Sequence, residues 1–207
     1  MDSVAQPEKT QSLREQQRAF TRQRLIEAAR QVFVERGYPD ATVDEIASAA
    51  GASRATFYLH FRGKTELAAA LIEDSTPWAV ERYRMLDDLL VAGGAGVRAS
   101  LRQWLSEWLG IWSEAARESH ALLQAAMLEP ELEALRLEQS QALVNALGRY
   151  FKSLPAADRA AARERMLVLE IMTQRIFSLA SMGRMPVSDR DTLDVLTDMW
   201  MNILVGG

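Results

Sequence analysis

Side chains suited to a polyanionic ligand are concentrated in one short stretch, TVDEIASAAGASRATFYLHFRGK, which occupies residues 42–64. Its small and hydroxyl-bearing side chains allow close approach to base edges, and its tyrosine, histidine and lysine side chains can reach phosphates. The candidates for such contacts are Thr42, Ser53, Arg54, Ala55, Thr56, Tyr58, His60 and Lys64. These residue types predict a surface that binds DNA.

Two short helices with a tight turn between them would position these side chains. Thr42 precedes an apolar run at helical spacing, and Glu45 follows three residues later, which is the capping-box pattern of a helix start. Gly51 is expected to end this helix and Ser53 to cap the next one. Two helices joined by a glycine-containing turn form a helix-turn-helix, whose second helix enters the major groove. Such pairs also occur in all-α proteins that never contact nucleic acid, so the pattern leaves that alternative open.

The stretch from Leu25 to Leu71 resembles the DNA-binding domain of TetR-family transcriptional regulators. The resemblance lies in three segments, LIEAARQVFVERGY (residues 25–38), TVDEIASAAGAS (residues 42–53) and TFYLHFRGKTEL (residues 56–67). It implies that Thr42, Tyr58, His60 and Lys64 hold phosphates and that residues 53–56 face bases, with Arg54 reading guanine. Leu59 departs from the aromatic residue that the family often has at its position.

The resemblance also implies a function for the whole chain. It indicates a ligand-responsive repressor that binds a palindromic double-stranded DNA operator as a homodimer and is released by a small, lipophilic or aromatic effector. A DNA-binding activator or regulator without a small-molecule ligand is the main alternative. An all-α enzyme or protein-interaction module with an incidental helix pair is the other.

The distribution of charge agrees with DNA binding by the N-terminal part of the chain. The 207 residues carry a net charge of −4, yet residues 14–64 hold nine Lys and Arg against six Asp and Glu, a net charge of +3. A locally basic face is what contact with phosphates requires. The polar residues 1–17 are expected to be a disordered lead, and the resemblance implies a three-helix DNA-binding domain at 18–74 and an effector-binding and dimerisation domain at 75–207.

Helical periodicity predicts an all-α fold throughout. The first helix is expected from Phe20 to Arg36, and the helix that opens at Lys64 is expected to kink or end at Pro77. The Pro77 region is also our candidate for a relay between the two domains. The predicted helices that follow are 97–118, 120–128, 131–154, 157–182 and 189–204.

A tryptophan stripe marks the second candidate site. Trp104, Trp108 and Trp112 recur every four residues and therefore share one helix face. Such a stripe is often solid core, but indoles also offer flat surfaces and N–H donors to an aromatic or lipophilic ligand. If the stripe lines an effector cavity, its expected partners are Met127, Tyr150, Met172 and Phe177.

The last two predicted helices are candidates for dimerisation. Their apolar residues repeat at helical spacing, as in Met166, Leu169, Thr173, Ile176 and Ala180 and again in Leu193, Leu196, Trp200 and Ile203. Amphipathicity alone does not separate a dimer interface from intramolecular core.

Catalysis finds little support in the sequence. The chain has no Cys, and its two histidines, His60 and His120, stand apart from any metal-ligand spacing. We expect no enzymatic activity, no metal and no cofactor. With no signal peptide and no apolar run long enough to span a bilayer, a cytoplasmic location and no membrane partner are expected.

Overall fold

The computed structural model describes residues 12–205, and in this range the chain consists of ten α-helices without a strand. The predicted all-α fold is confirmed. The helices are α1 (Leu13–Arg36), α2 (Val43–Ala49), α3 (Arg54–Tyr58), α4 (Lys64–Ala92), α5 (Val97–Glu114), α6 (Ala116–Leu128), α7 (Pro130–Asn145), α8 (Gly148–Ser153), α9 (Arg159–Ser181) and α10 (Asp189–Val205). None of them combines the length and apolar character needed to cross a membrane.

Helix α1 begins earlier than its apolar pattern indicates. Ser12 accepts a hydrogen bond from the Glu15 amide at 3.3 Å, and the Glu15 carboxylate accepts one from the Ser12 amide at 2.8 Å. This capping box starts the helix at Leu13. The predicted disordered lead thus overlaps α1 at residues 13–17, and its residues 1–11 lie outside the described part of the chain.

Helix α4 does not end at Pro77. Of the two outcomes expected there, a kink or an end, the end is wrong. A proline inside a helix removes one backbone hydrogen bond, but side chains add others one turn earlier. The hydroxyls of Ser75 and Thr76 donate to the Ile72 carbonyl at 2.8 and 2.9 Å, and Gln139 of α7 contacts both hydroxyls. The helix therefore runs on to Ala92 and crosses the predicted domain boundary at residues 74 and 75.

Two other predicted helices are divided in the structure. The predicted 97–118 segment ends at Glu114, and α6 begins two residues later. The predicted 131–154 segment is split into α7 and α8 near Leu147. No glycine or proline marks the break at residue 115, whereas Gly148 directly follows the second break and is a signal that the helical periodicity obscured.

Two hydrophobic cores hold the helices together. The first joins α1, α2, α3 and the start of α4, and it also includes Ala121, Leu122, Ala125 and Ala126 of α6. The second core joins α5, α8, α9 and α10 to the rest of α4. The N-terminal helices thus pack directly on α6, so a displacement of α6 acts on them.

The stripes predicted for dimerisation mostly face inward. Met166, Leu169 and Thr173 of α9 are buried, as are Leu196 and Trp200 of α10. The Trp200 indole donates to the Thr173 hydroxyl at 3.0 Å, which ties the two helices together inside one protomer. Other residues form the exposed apolar face of these helices: Val168, Ile171, Met172 and Val195.

Candidate functional site

Local capping fixes the two helices of the candidate DNA-binding surface. The Thr42 hydroxyl accepts from the Glu45 amide at 3.2 Å, and the Glu45 carboxylate accepts from the Thr42 amide at 3.1 Å. The Ser53 hydroxyl accepts from the Thr56 amide at 3.0 Å and thereby caps α3. Phe57 is wholly buried beneath α3. The two helix starts predicted from sequence are therefore present.

The face expected to contact bases is presented to solvent. Ser53, Arg54 and Ala55 are exposed, and Thr56 is half-buried. Arg54 is held in place, because its Nη1 donates to both carboxylate oxygens of Asp44 at 2.7 and 2.6 Å. Both side chains of this pair are mostly exposed, and exposed ion pairs contribute little to stability. Arg54 can therefore exchange Asp44 for a ligand at small cost.

Cations surround the end of α3. Tyr58 is half exposed and lies within 3.4 Å of Arg54 through its hydroxyl. His60 follows α3, and its pKa is lowered by partial burial and then by the charges of Arg18 and Arg22 of α1. These charges converge on the side where a phosphate backbone would pass.

Lys64 makes contacts that its sequence position did not indicate. Its Nζ donates to the carbonyl oxygens of Tyr38, Pro39 and Ala41 at 2.8, 2.9 and 3.0 Å. An ammonium group has three N–H donors, so the loop between α1 and α2 uses all of them. Lys64 fastens the start of α4 to this loop, and the structure provides no free donor on it for a phosphate.

The two remaining surface positions differ in their freedom. The Thr42 hydroxyl is committed to its capping box, because it also donates to the Glu45 carboxylate at 2.8 Å. This bond and the backbone bond lower the pKa of Glu45. Leu59 is 72% exposed and has no aromatic ring to stack on a base.

A cavity of about 240 Å³, partly open to solvent, lies among α1, α4, α5, α6, α7 and α9. Two of the predicted ligand residues, Trp108 and Trp112, line it. Trp78 of α4 also lines it and meets Trp108 edge to face, with ring centroids 5.4 Å apart. Polar groups on the wall come from Arg136 and Gln139 of α7 and from Gln174 of α9.

The other predicted ligand residues lie elsewhere. Trp104 packs in the second core against Tyr83 and Trp200, and its indole donates to the Arg82 carbonyl at 3.2 Å. Phe177 is wholly buried in the same core, where Tyr150 donates to the Leu204 carbonyl at 2.8 Å. Met127 and Met172 lie on outer grooves, the first at α6 and the second between α9 and α10. The structure does not bring these five to the cavity.

Sequence reasoning missed Trp78, Arg136, Gln139 and Gln174. Trp78 carried a usable signal, because it stands one turn before the apolar residues of the second half of α4, beside Pro77. The three polar residues, Arg136, Gln139 and Gln174, carried no such signal. Nothing in their local sequence distinguishes them from residues on a solvent-exposed helix face.

A buried polar network borders the cavity. Glu170 is wholly buried, and it accepts hydrogen bonds from the Tyr83 hydroxyl and from Gln174 Nε2, the latter at 2.7 Å. Burial raises the pKa of Glu170 and raises that of Tyr83 well above its ordinary value. Gln174 also accepts from Arg136 at 2.6 Å, so the network continues from α4 through α9 to α7.

An ion cluster connects the cavity to the DNA-binding helices. Arg30 of α1 donates to Glu118 of α6 at 2.5 Å and lies 3.4 Å from Asp74 of α4, and all three residues line the cavity. The wall of the cavity therefore includes the ion pairs that join α1 to α4 and α6. Within residues 12–205 no group of three or more His, Asp or Glu side chains is placed to hold a metal ion.

Comparison with known proteins places the N-terminal helices in a family. Residues 25–71 match the family model described as bacterial regulatory proteins, tetR family. A curated relative, the uncharacterized HTH-type transcriptional regulator TtgW of Pseudomonas putida, is 54% identical over 52 residues, which are 25% of this chain and 39% of that protein. The match thus spans well under half of the relative's length.

Solved structures extend the likeness to the fold of nearly the whole chain. A tetR-family transcriptional regulator from Streptomyces coelicolor is similar with a TM-score of 0.64 at 23% identity, over 89% of this chain and 79% of that one. NalD, the secondary repressor of the MexAB-OprM multidrug efflux pump in Pseudomonas aeruginosa, has a TM-score of 0.59 at 18% identity, over 89% and 96% of the two chains. At these identities the likeness establishes the fold alone. Residues 25–71 therefore carry the helix-turn-helix segment of the tetR family of bacterial regulatory proteins, and the chain as a whole shares the fold of solved regulators of that family.

Proposed function

We propose that this protein is a ligand-responsive repressor that binds a palindromic operator as a homodimer and is released by a small lipophilic or aromatic effector. The observation that carries the DNA-binding part is the capped, exposed α3, with Arg54 on its face and His60, Arg18 and Arg22 at its end. A short helix with small exposed residues and flanking cations suits the major groove. The place of action that follows is the bacterial cytoplasm, where the DNA lies.

The proposed dimer uses the exposed apolar face of α9 and α10. Val168 and Met172 of α9 are 58% and 43% exposed, and they line a groove with Met199 and Ile203 of α10. Val195 of α10 is 59% exposed. Exposed apolar residues that cluster on adjacent helices mark surfaces for association. A two-fold interface here would pair α9 and α10 with their copies, as a palindromic operator requires.

The proposed response is a shift between two arrangements of the dimer. Two recognition helices read successive half-sites when they stand about 34–36 Å apart. An effector that binds better to a different spacing would draw the dimer off its operator. The cavity is suited to this role, because Arg30, Asp74 and Glu118 place α1, α4 and α6 on its wall.

We propose repression rather than activation, the role described for one protein of the same fold. NalD, which shares the fold, is described as a secondary repressor. The alternative, an activator or regulator without a small ligand, would leave the cavity without a role.

Selection of genomic fragments with the purified chain tests the proposal. We expect enrichment of a palindromic sequence, bound by two protomers with strong salt dependence. Analytical ultracentrifugation of the wild type and of Val168→Glu tests the interface, with Val91→Glu at an exposed position of α4 as a matched control. Failure to enrich any sequence at moderate salt, or a monomeric wild type on DNA, would contradict the proposal.

A further inference from the structure

The cavity contains an indole donor without a partner. Trp108 is 3% exposed, and its Nε1 has no hydrogen-bond acceptor among residues 12–205. Buried N–H groups are nearly always paired, and leaving one unpaired is unfavourable. By contrast, the neighbouring indole of Trp104, which does not line the cavity, donates to a backbone carbonyl. A ligand in the cavity whose oxygen reached Trp108 Nε1 would satisfy this donor.

The same wall carries an arginine without an ion pair. Arg136 donates to Gln174 at 2.6 Å, and no carboxylate oxygen in the described chain lies within ion-pair distance of it. Burial lowers the pKa of Arg136 to about 10, so its guanidinium stays charged at neutral pH. Glu170 attracts it electrostatically, but the carboxylate oxygens of Glu170 are bonded to Tyr83 and Gln174.

The other charged residues of the wall form a single cluster. Arg30, the other lining arginine, is paired with Glu118 and Asp74. The cavity thus offers its two carboxylates already occupied and one cation, Arg136, that is not. The four charged lining residues sum to zero, and the one charge among them without an ion-pair partner is the Arg136 cation. An anionic group placed beside Arg136 is therefore the favoured occupant.

Size and surface define the rest of the ligand. Trp78, Trp108 and Trp112 line a space of about 240 Å³. Pockets for drug-sized ligands have roughly 300–1,000 Å³, so this cavity suits one or two fused rings. Aromatic walls favour a planar aromatic body.

We propose that the cavity binds a small aromatic anion whose acidic group pairs with the Arg136 guanidinium and whose oxygen accepts the Trp108 indole N–H. This inference deepens the proposed effector response by naming the chemical class of the effector. The carboxylate would supply the ion pair that Arg136 lacks, and its second oxygen the acceptor that Trp108 lacks.

Calorimetric titration of the full chain with three bicyclic compounds of similar shape tests the ligand class. The probes are 1-naphthoate, neutral 1-naphthylmethanol and cationic 1-naphthylmethylammonium. We expect 1-naphthoate to bind at least about tenfold more tightly than either of the others, as a charged hydrogen bond requires. Equal or tighter binding of the alcohol or the ammonium compound, or no binding of 1-naphthoate, would overturn the proposal.

Two pairs of variants test the assigned residues. Arg136→Met should weaken 1-naphthoate binding about tenfold or more, and Arg175→Met, which makes the same charge change outside the cavity, should leave it within about twofold. Trp108→Phe should weaken it about fivefold, and Trp104→Phe should not. Arg136→Lys, which keeps the charge, should bind better than Arg136→Met. If 1-naphthoate binding is the same in Arg136→Met, Arg136→Lys and the wild type, the assignment is wrong.

The proposed ligand class and the proposed regulatory role can be contradicted independently of each other. Calorimetry is carried out without DNA, and operator binding by the chain alone is measured by gel shift. Loss of discrimination among the three probes, with operator binding intact, overturns the ligand class alone. Discrimination with the expected variant effects supports it even if 1-naphthoate leaves the operator complex unchanged, a result that would contradict the effector response instead.

Discussion

The Nη2 atom of Arg24 lies 2.7 Å from the position that a β-carbon on Gly51 would occupy. Arg24 reaches this point from α1 to donate to the Ala50 carbonyl at the end of α2. Gly51 itself has a φ of +61°, in the left-handed region that glycine adopts without strain. A side chain at this turn would therefore strain the backbone and displace the end of Arg24.

Gly51→Ala should destabilise the DNA-binding helices. The left-handed conformation costs an L-residue about 1–2 kcal/mol, and displacing Arg24 removes a hydrogen bond worth about 1 kcal/mol more. Thermal denaturation should show a lower Tm. Gly110→Ala, in the exposed interior of α5 with open space around it, should raise Tm instead. An equal Tm for Gly51→Ala and the wild type would contradict the predicted backbone strain at this turn.

Arg54→Ala should relax the sequence preference of the protein. If Arg54 leaves Asp44 to read guanine, its loss should reduce discrimination at one base pair roughly tenfold or more and leave the other positions unchanged. Binding to an operator series with each base pair replaced measures this. Arg84→Ala, which breaks an equally exposed pair with Glu81 on α4, is the matched control. A preference that survives Arg54→Ala would remove Arg54 from base recognition.

Lys64→Met should lower the stability of the protein and leave its number of phosphate contacts unchanged. Three loop carbonyls lose their donor, and each one left unpaired costs about 1–3 kcal/mol to the extent that water does not replace the donor. We expect a lower Tm and an unchanged slope of log affinity against log salt. Arg62→Met, at an almost fully exposed neighbour, should leave Tm unaltered. If Lys64 held a phosphate, Tm would stay constant and the salt slope would fall by about one.

Glu170 should make stability depend on pH in a defined direction. Its folded pKa is raised above its ordinary value of 4.5 by burial. The folded state therefore binds the proton more tightly, and the stabilisation is complete below pH 4.5 and is lost as pH rises through the raised folded pKa. Tm measured across this range should fall less steeply in Glu170→Gln. Exposed Glu164→Gln should follow the wild-type curve, and identical curves for all three proteins would contradict the assignment.

Local chemistry made the DNA-binding half of the fold predictable. The Thr42 and Glu45 box, the Ser53 cap and the glycine at 51 each act within a few residues, so the sequence displays them directly. The same locality explains why α1 was expected too short. Its first turns are polar and have no apolar period, and only the Ser12 and Glu15 box marks their start.

The candidate cavity was only partly predictable because it depends on contacts between distant helices. The period of four that relates Trp104, Trp108 and Trp112 places them on one face, but α10 covers one end of that face with Trp200, and the cavity opens at the other. Arg136 and Gln174 meet across two helices, 38 residues apart in the chain. No pattern within either helix indicates such a pairing.

Because α4 is continuous, it connects the cavity to the loop before α2 as a single rigid element of known length. The helix is attached at its first residue to the loop before α2 through Lys64, and it passes the cavity at Trp78. At 1.5 Å per residue these points are about 21 Å apart, so a tilt of about 5° at the cavity would displace the attached loop by about 2 Å. Because a hydrogen bond to Nζ does not survive an ångström of stretching, the loop would have to travel with the helix rather than slide along it. Small angular changes beside a ligand would therefore reach the recognition helix as translations comparable to the distances that decide whether a side chain touches a base.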